Sequence, residues 1–136
     1  MSLDKAYRVD QNKVDNGIPV EFPEAMNDDG TIPTFYLAYA GGPNEEYKAA
    51  LAKRSRGFRS GTIPEKVATT ILAHVYAEAV IKGWDNVYIN EQKLEYNTNN
   101  CIQLLKDLPE FFSTIRERAT EITGYLLTEL NSVAKN

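Results

Sequence analysis

The stretch TIPEKVATTILAHVYAEAVIKG, residues 62–83, decides the fold class. Its apolar side chains recur in two rows at four-residue steps: Val67, Ile71, Val75, Ala79, and Ala68, Leu72, Tyr76, Val80. Rows at that spacing lie side by side on a helix and together make a wide apolar face. Thr62-Ile-Pro-Glu65 has capping-box spacing, with the proline in the first turn, where its missing N–H costs nothing. Gly83 is a natural helix stop. The pattern predicts a central helix over about 64–82 that the rest of the chain must cover.

Downstream, Val87–Ile89 and Lys93–Tyr96 flank Asn90-Glu-Gln92, which reads either as a second short hairpin or as an extended loop. Asn97 or Thr98 is placed to cap a short helix carrying Ile102, Leu104 and Leu105. Asp107-Leu-Pro-Glu110 repeats the capping spacing. Phe111, Ile115, Ala119, Ile122, Leu126, Leu130 and Val133 then recur in steps of four and three. That rhythm predicts a last helix running to about 133 with a heptad-like seam. Trp84, Leu104, Leu105 and Leu108 sit in the segment that folds back after Gly83 and are expected to anchor the core.

Upstream, Ile18-Pro-Val-Glu-Phe22 reads as a short strand, at a sheet edge because proline cannot donate a ladder bond. Asn27-Asp-Asp-Gly30 is a strong turn signal. Thr34–Ala40 reads as the partner strand, with Phe35, Leu37 and Tyr39 on one face. Gly41-Gly42-Pro43 breaks it, and Asn44 caps a helix whose first turn holds Glu45 and Glu46 and which ends near Gly57. The expected fold is mainly α with a minor β component: a small helical domain with an N-terminal β-hairpin and, in one reading, a second short one. Residues 1–136 are expected to form a single domain, with 1–15 as a flexible lead-in.

A chain of 136 residues can bury enough surface for a core without staples, and 43% hydrophobic with 25% charged residues is globular composition. A net charge of -4 argues against bulk nucleic-acid binding, which needs a basic surface. The one cysteine, Cys101, allows no intrachain disulfide and fits a reducing compartment. No apolar run reaches the roughly 20 residues of a membrane helix, and residues 1–8 lack an apolar stretch of signal-peptide type. The expectation is a cytoplasmic protein.

Catalytic signals are missing. His74 is the only histidine, and metal sites need several ligands. Cys101 reads as a structural, half-buried thiol. Asp28-Asp29-Gly30 lacks the twelve-residue calcium-loop pattern and reads as a turn. Neither a phosphate-binding loop nor a dinucleotide fingerprint is present. A non-enzymatic protein without cofactor or metal is expected. One charge asymmetry stands out: Lys48, Lys53, Arg54, Arg56 and Arg59, with no acidic residue between the first and the last. It is either a patch for an acidic partner or a solvated helix end, where cations favour the negative end of the dipole.

The order of these features resembles the tail assembly chaperones of tailed bacteriophages. The resemblance runs from about residue 14 to 136. It rests on Ala77-Glu-Ala-Val80, Gly83-Trp84-Asp85, Leu94-Glu-Tyr96-Asn97, Asn100 and Leu104-Leu-Lys-Asp-Leu-Pro-Glu-Phe111. In the N-terminal half it rests on Ile18–Phe22, Phe35–Ala40 and Pro43-Asn44-Glu-Glu-Tyr47 leading to Leu51. Two departures concern the second hairpin: Asn90-Glu-Gln92 lacks the family's glycine, and Leu94-Glu95 stands where a proline is usual.

The resemblance implies a protein that binds the tape-measure protein, keeps it soluble, helps recruit the major tail tube protein and then leaves. It implies residence in the host cytoplasm during infection or prophage expression and absence from the mature virion, with neither nucleic acid nor membrane as a partner. Homo-oligomerisation is left open. Phe112, Ile115, Ile122, Leu126 and Leu130 on the C-terminal seam, with Arg54, Arg56 and Arg59, are the expected partner-binding residues. Two other readings are a minor structural tail or head-completion protein retained in the particle, and a small regulatory nucleic-acid-binding protein using the basic stretch.

The acidic balance predicts no specific duplex binding by that stretch. Electrophoretic mobility shift at physiological salt should show none, and tight binding that is lost on Arg54→Ala and Arg56→Ala would contradict the reading.

Overall fold

In the computed structural model, residues 2–57 and 63–128 are described. Six helices and five short strands occur among them, a mainly helical fold with two small sheets. The N-terminal region holds α1 (Leu3–Ala6) and α2 (Gln11–Asn16). Asp10 caps α2 by accepting from the Asn12 and Lys13 N–H groups, and Val14 is fully buried.

The hairpin predicted at the N-terminus forms. β1 (Ile18–Glu21) pairs antiparallel with β2 (Thr34–Leu37), with Val20 opposite Phe35 and Ile18 opposite Leu37. β1 lies at the sheet edge, where Pro19 is tolerated. The connection contains a 3-10 turn, Pro23–Ala25, and the Asn27–Gly30 turn. Asn27 ties this loop down: its Nδ2 donates to Thr31 Oγ1 at 2.9 Å and to the Asn86 carbonyl at 2.8 Å.

Two helices follow. α3 (Glu45–Ser55) is capped by Asn44. α4 (Glu65–Ala79) is the central helix, and its two apolar rows have different partners. Val75 and Ala79, with Ile71, pack on Ala50, Tyr47 and Leu51 of α3. Tyr76 and Val80, with Leu72, face the main core. The first turns are more exposed than the pattern suggested, with Val67 37% accessible. α4 starts at Glu65 with Pro64 in the cap position and no side-chain cap bond, so the proline precedes the first turn. Thr62 lies outside the described residues.

The helix also ends three residues earlier than predicted. Ile81–Asp85 is β3, antiparallel to β2, and Gly83 sits within it opposite Tyr36. Two β-branched residues, Val80 and Ile81, favour extended backbone, but the decisive forces are tertiary. The Val80 carbonyl accepts from the Ala38 N–H at 2.7 Å, and the Ile81 carbonyl accepts from the Tyr96 hydroxyl at 2.6 Å.

The second hairpin forms as well, with β4 (Tyr88–Ile89) and β5 (Gln92–Lys93). Its two-residue turn has φ of 52° at Asn90 and 66° at Glu91. Positive φ at both central positions is the primed geometry that suits hairpin twist, and it needs no glycine, at some cost to Glu91. Asn97 then caps α5 (Thr98–Asp107), its Oδ1 accepting from the Asn100 N–H at 2.7 Å.

The last helix departs most from prediction. α6 covers only Pro109–Ala119; Asp107 ends α5 instead of capping α6, and Leu108 occupies the cap position. A 3-10 turn, Ile122–Tyr125, follows, and Leu126 bridges to Val9. The Ala119 carbonyl, which a longer helix would need, accepts from the Ala40 N–H at 2.8 Å. Tyr125 turns inward and its hydroxyl donates to the Leu37 carbonyl at 2.9 Å. Residues 129–133 of the predicted seam lie outside the described residues.

Helices α4, α5 and α6 therefore share one core with the three-stranded sheet: Val20, Phe35, Leu37 and Trp84 meet Tyr76, Leu105, Phe112 and Ile115. Asn44 is the one buried polar residue of the described chain, 1% exposed. Its Oδ1 accepts from the Tyr47 N–H at 3.1 Å, and its Nδ2 donates to the Tyr39 carbonyl at 2.9 Å and the Ala79 carbonyl at 3.4 Å. Asn44→Ala removes a helix cap and strands buried carbonyls, so it should destabilise the fold by about 2–3 kcal/mol. Urea denaturation measures this. Asn44→Asp should also destabilise, because the restored cap comes with a carboxylate facing two carbonyl oxygens.

Candidate functional site

The expected partner surface is largely inside the protein. Phe112 and Ile115 are 1% and 0% exposed, Leu126 is 1% exposed, and all three complete the domain's own interior. Ile122 is half-buried. Phe112 and Ile115 lie on the side of α6 that packs into the main core, and once the chain turns at Thr120, Leu126 folds back against Val9 instead of projecting along a free helix. Leu130 and Arg59 lie outside the described residues. Arg54 pairs with Glu78 of α4, Lys48 pairs with Glu45, and Arg56 is exposed, so the basic stretch is partly neutralised by its own fold.

Trp84, Leu104 and Leu105 lie buried, at 7%, 5% and 0% exposure, but Leu108 is 43% exposed and is not a core anchor. The Trp84 indole N–H donates to the Leu94 carbonyl at 2.8 Å, tying the second hairpin's exit to the sheet. Leu108 stands at the α5–α6 corner, where Pro109 starts the new helix. There it forms a ridge with Ile89 of β4 between two open apolar hollows.

The first hollow has a floor of Phe22, Phe35, Val87 and Leu104, with Phe111 in its wall. Edge-on and tilted aromatic contacts brace it: Phe22, Phe35 and Phe111 lie with ring centroids 5.0–5.7 Å apart. The second hollow, on the other side of the ridge, is lined by Leu94, Leu104 and the Gln103–Asp107 side of α5. Their volumes are about 140 and 160 Å³. Pockets that hold drug-sized ligands measure roughly 300–1,000 Å³, so each of these smaller hollows suits one large side chain. A wider polar shelf adjoins the first, lined by Met26, Asp28, Asp29 and Glu91.

Sequence reasoning missed this surface. Phe22 reads as a strand end, and the two-residue strands of the second hairpin hide which face of Ile89 is open. The usable signal was Leu108, an apolar residue directly before a helix-starting proline.

His74 is half-buried, and burial, then the charges of Arg54 and Lys106, lower its pKa from 6.5. Tyr76 and Tyr125 are raised by burial. The Tyr36 hydroxyl donates to Asp85 at 2.6 Å, which raises its pKa. Among the described residues no group of three His, Cys, Asp or Glu is arranged to hold a metal, and no helix is long and apolar enough to cross a membrane. Cys101 is fully buried, beyond the half-burial read from the sequence, and burial pushes its thiol up to about 12. The thiolate is the reactive form. At pH 8 the folded protein should therefore resist alkylation by iodoacetamide, and denatured protein should label within minutes. Labelling of the folded protein at the denatured rate would contradict the burial of Cys101.

Comparison with known proteins adds one match: the family model described as YdaY prophage protein, over residues 42–136. No curated protein and no solved structure matches the chain. The match spans α3 to the C-terminus and includes Ile89, Leu104, Leu108 and Phe111. It agrees with the phage connection implied by the resemblance, while its description names no activity. The chain belongs to the YdaY prophage protein family.

Proposed function

We propose that this prophage protein is a tail assembly chaperone that shields apolar segments of the tape-measure protein by binding them in the groove around Leu108. The observation that carries the reading is the exposed ridge of Leu108 and Ile89 between two side-chain-sized apolar hollows. Apolar hollows of that size accept protein side chains one at a time, the way an amphipathic helix is held in a groove. A long helical tape measure exposes apolar seams that aggregate when bare, so a protein offering such a groove covers them. A shallow groove also suits release, because a small contact leaves affinity low. The resemblance in motif order and the family's prophage origin support the same reading. The proposed partners are the tape-measure protein first and the major tail tube protein second, with action in the host cytoplasm before the particle is complete.

Co-expression tests it. The tape-measure protein should be soluble with the wild-type chain and insoluble with the Leu108→Asp variant. Leu108 is 43% exposed at a helix corner, so this variant should keep its fold, which circular dichroism checks. Mass spectrometry of purified particles should find the chain absent. Its presence in stoichiometric amounts would support a retained tail or head-completion component instead.

A further inference from the structure

We infer that the Leu108 groove selects its occupant by charge: it takes an amphipathic helix with two large apolar residues at i and i+3 or i+4, flanked by lysines or arginines. This deepens the chaperone reading, on which it rests only for the identity of the partner.

Three observations lead to it. The two hollows lie on either side of the Ile89–Leu108 ridge and share both residues, so one occupant places a side chain in each. Side chains three or four residues apart on a helix are neighbours, roughly 5–6 Å apart, so a pair of them projects together toward two hollows that share their lining residues. The surface of both hollows is mainly apolar, with Asn27 and Tyr88 at the first and Asn100, Gln103 and Asp107 at the second. A helix suits such a surface, since its own backbone is already bonded.

The third observation is the rim. Asp28, Asp29 and Glu91 line the polar shelf that adjoins the first hollow and shares Asn27 and Tyr88 with it, and Asp107 lines the second hollow at the other end. Among the described residues, no lysine or arginine lines the groove or the shelf. Lys93, opposite Tyr88 on the second hairpin, lines none of the three. Apolar walls bracketed by carboxylates at both ends complement an apolar stripe bracketed by cations. A second copy of this chain has a net charge of -4, and its cationic run is partly paired with its own Glu45 and Glu78, which makes it a poorer match for that rim than a free basic helix. The exposed Met26, 55% accessible beside Asp28, adds a pliable apolar contact of the kind found on adaptable binding surfaces.

Two synthetic peptides test the assignment. Both are helix-stabilised and carry leucines at positions i, i+4 and i+7; one has lysines on its polar positions, the other glutamates. Calorimetric titration into the full-length protein should show the lysine peptide binding tighter by on the order of ten-fold, the scale that a few exposed ion pairs supply together. The preference should shrink at 0.5 M salt, where charges beyond the first few ångströms are screened. Amide chemical shifts should move at Ile89, Leu108 and Phe111.

A variant with Asp28→Asn, Asp29→Asn, Glu91→Gln and Asp107→Asn should bind both peptides equally. Its amides keep the oxygens that accept from Thr31 and Gln103. Equal binding of the two peptides to the wild type, a preference that survives in the variant, or shifts confined to another surface would each overturn the inference. A concentration-dependent dimer dissolved by Leu108→Asp would assign the groove to a second copy and overturn it as well. If the wild-type chain solubilises the tape-measure protein and neither peptide binds, the charge-selective groove fails while the chaperone reading stands. If the lysine peptide binds as expected and the tape-measure protein stays insoluble, the chaperone reading fails while the groove's chemistry stands.

Discussion

Five residues from separate points of the chain converge on the short run Leu37–Ala40, and the rest of the architecture depends on how its backbone groups are shared. The Ala38 N–H bonds the end of α4 through Val80, the Tyr39 N–H bonds the end of α2 through Val14, and the Ala40 N–H bonds the end of α6 through Ala119. The Leu37 carbonyl accepts from Tyr125, and the Tyr39 carbonyl accepts from Asn44. Buried backbone groups must be paired, and here the partners are the loose ends of three helices. α4 and α6 stop where this run takes the carbonyl at their ends, and in α2 it takes a carbonyl of the last turn. Gly17 allows the close approach: its φ is +96°, and a Cβ there would sit 3.1 Å from the Leu37 carbonyl carbon.

That convergence explains why a protein with modest helices has a defined core. None of the helices is long enough to be stable alone in water. Their stability comes from the shared interior and from the junction that sets where each ends. Asn44 adds the link between the α3–α4 pair and the run that follows β2, its buried amide bonding to three different segments. A buried polar group held by several segments at once specifies one arrangement over its competitors, because a shift leaves it unpaired.

The groove follows from the same constraints. α5 and α6 meet at a proline-started corner, which leaves Leu108 pointing away from the core. The second hairpin is only two residues per strand and is held by bonds from Trp84 to Leu94 and from Leu94 to Val87, so it projects Ile89 beside that corner. Between them lies the aromatic floor of Phe22, Phe35 and Phe111. The site is thus assembled from the N-terminal hairpin, the second hairpin and the α5–α6 corner. No single stretch of sequence contains it, and the family match begins after Phe22 and Phe35.

What the sequence determined by itself was local. The α4 periodicity, the Asn44 cap, a cap at Asn97 or Thr98, the strands starting at Ile18 and Thr34 and the Asn27–Gly30 turn are all written in nearest-neighbour chemistry, through helical spacing, capping side chains and glycine at positive φ; the second strand, expected to reach Ala40, stops at Leu37. Tertiary structure decided where those elements stop and which way their apolar residues face. The heptad rhythm from Phe111 to Val133 is compatible with one long helix, and nothing local forbids it before Gly124. The chain leaves the helix because the Ala119 carbonyl and the Tyr125 hydroxyl find better-placed partners on Ala40 and Leu37, about eighty residues away. By the same logic Leu105 and Leu108 look alike as letters three positions apart, yet one is sealed under α4 and the other is exposed at a corner. Burial depends on what the remainder of the chain lays against a residue, and that is a property of the assembled fold.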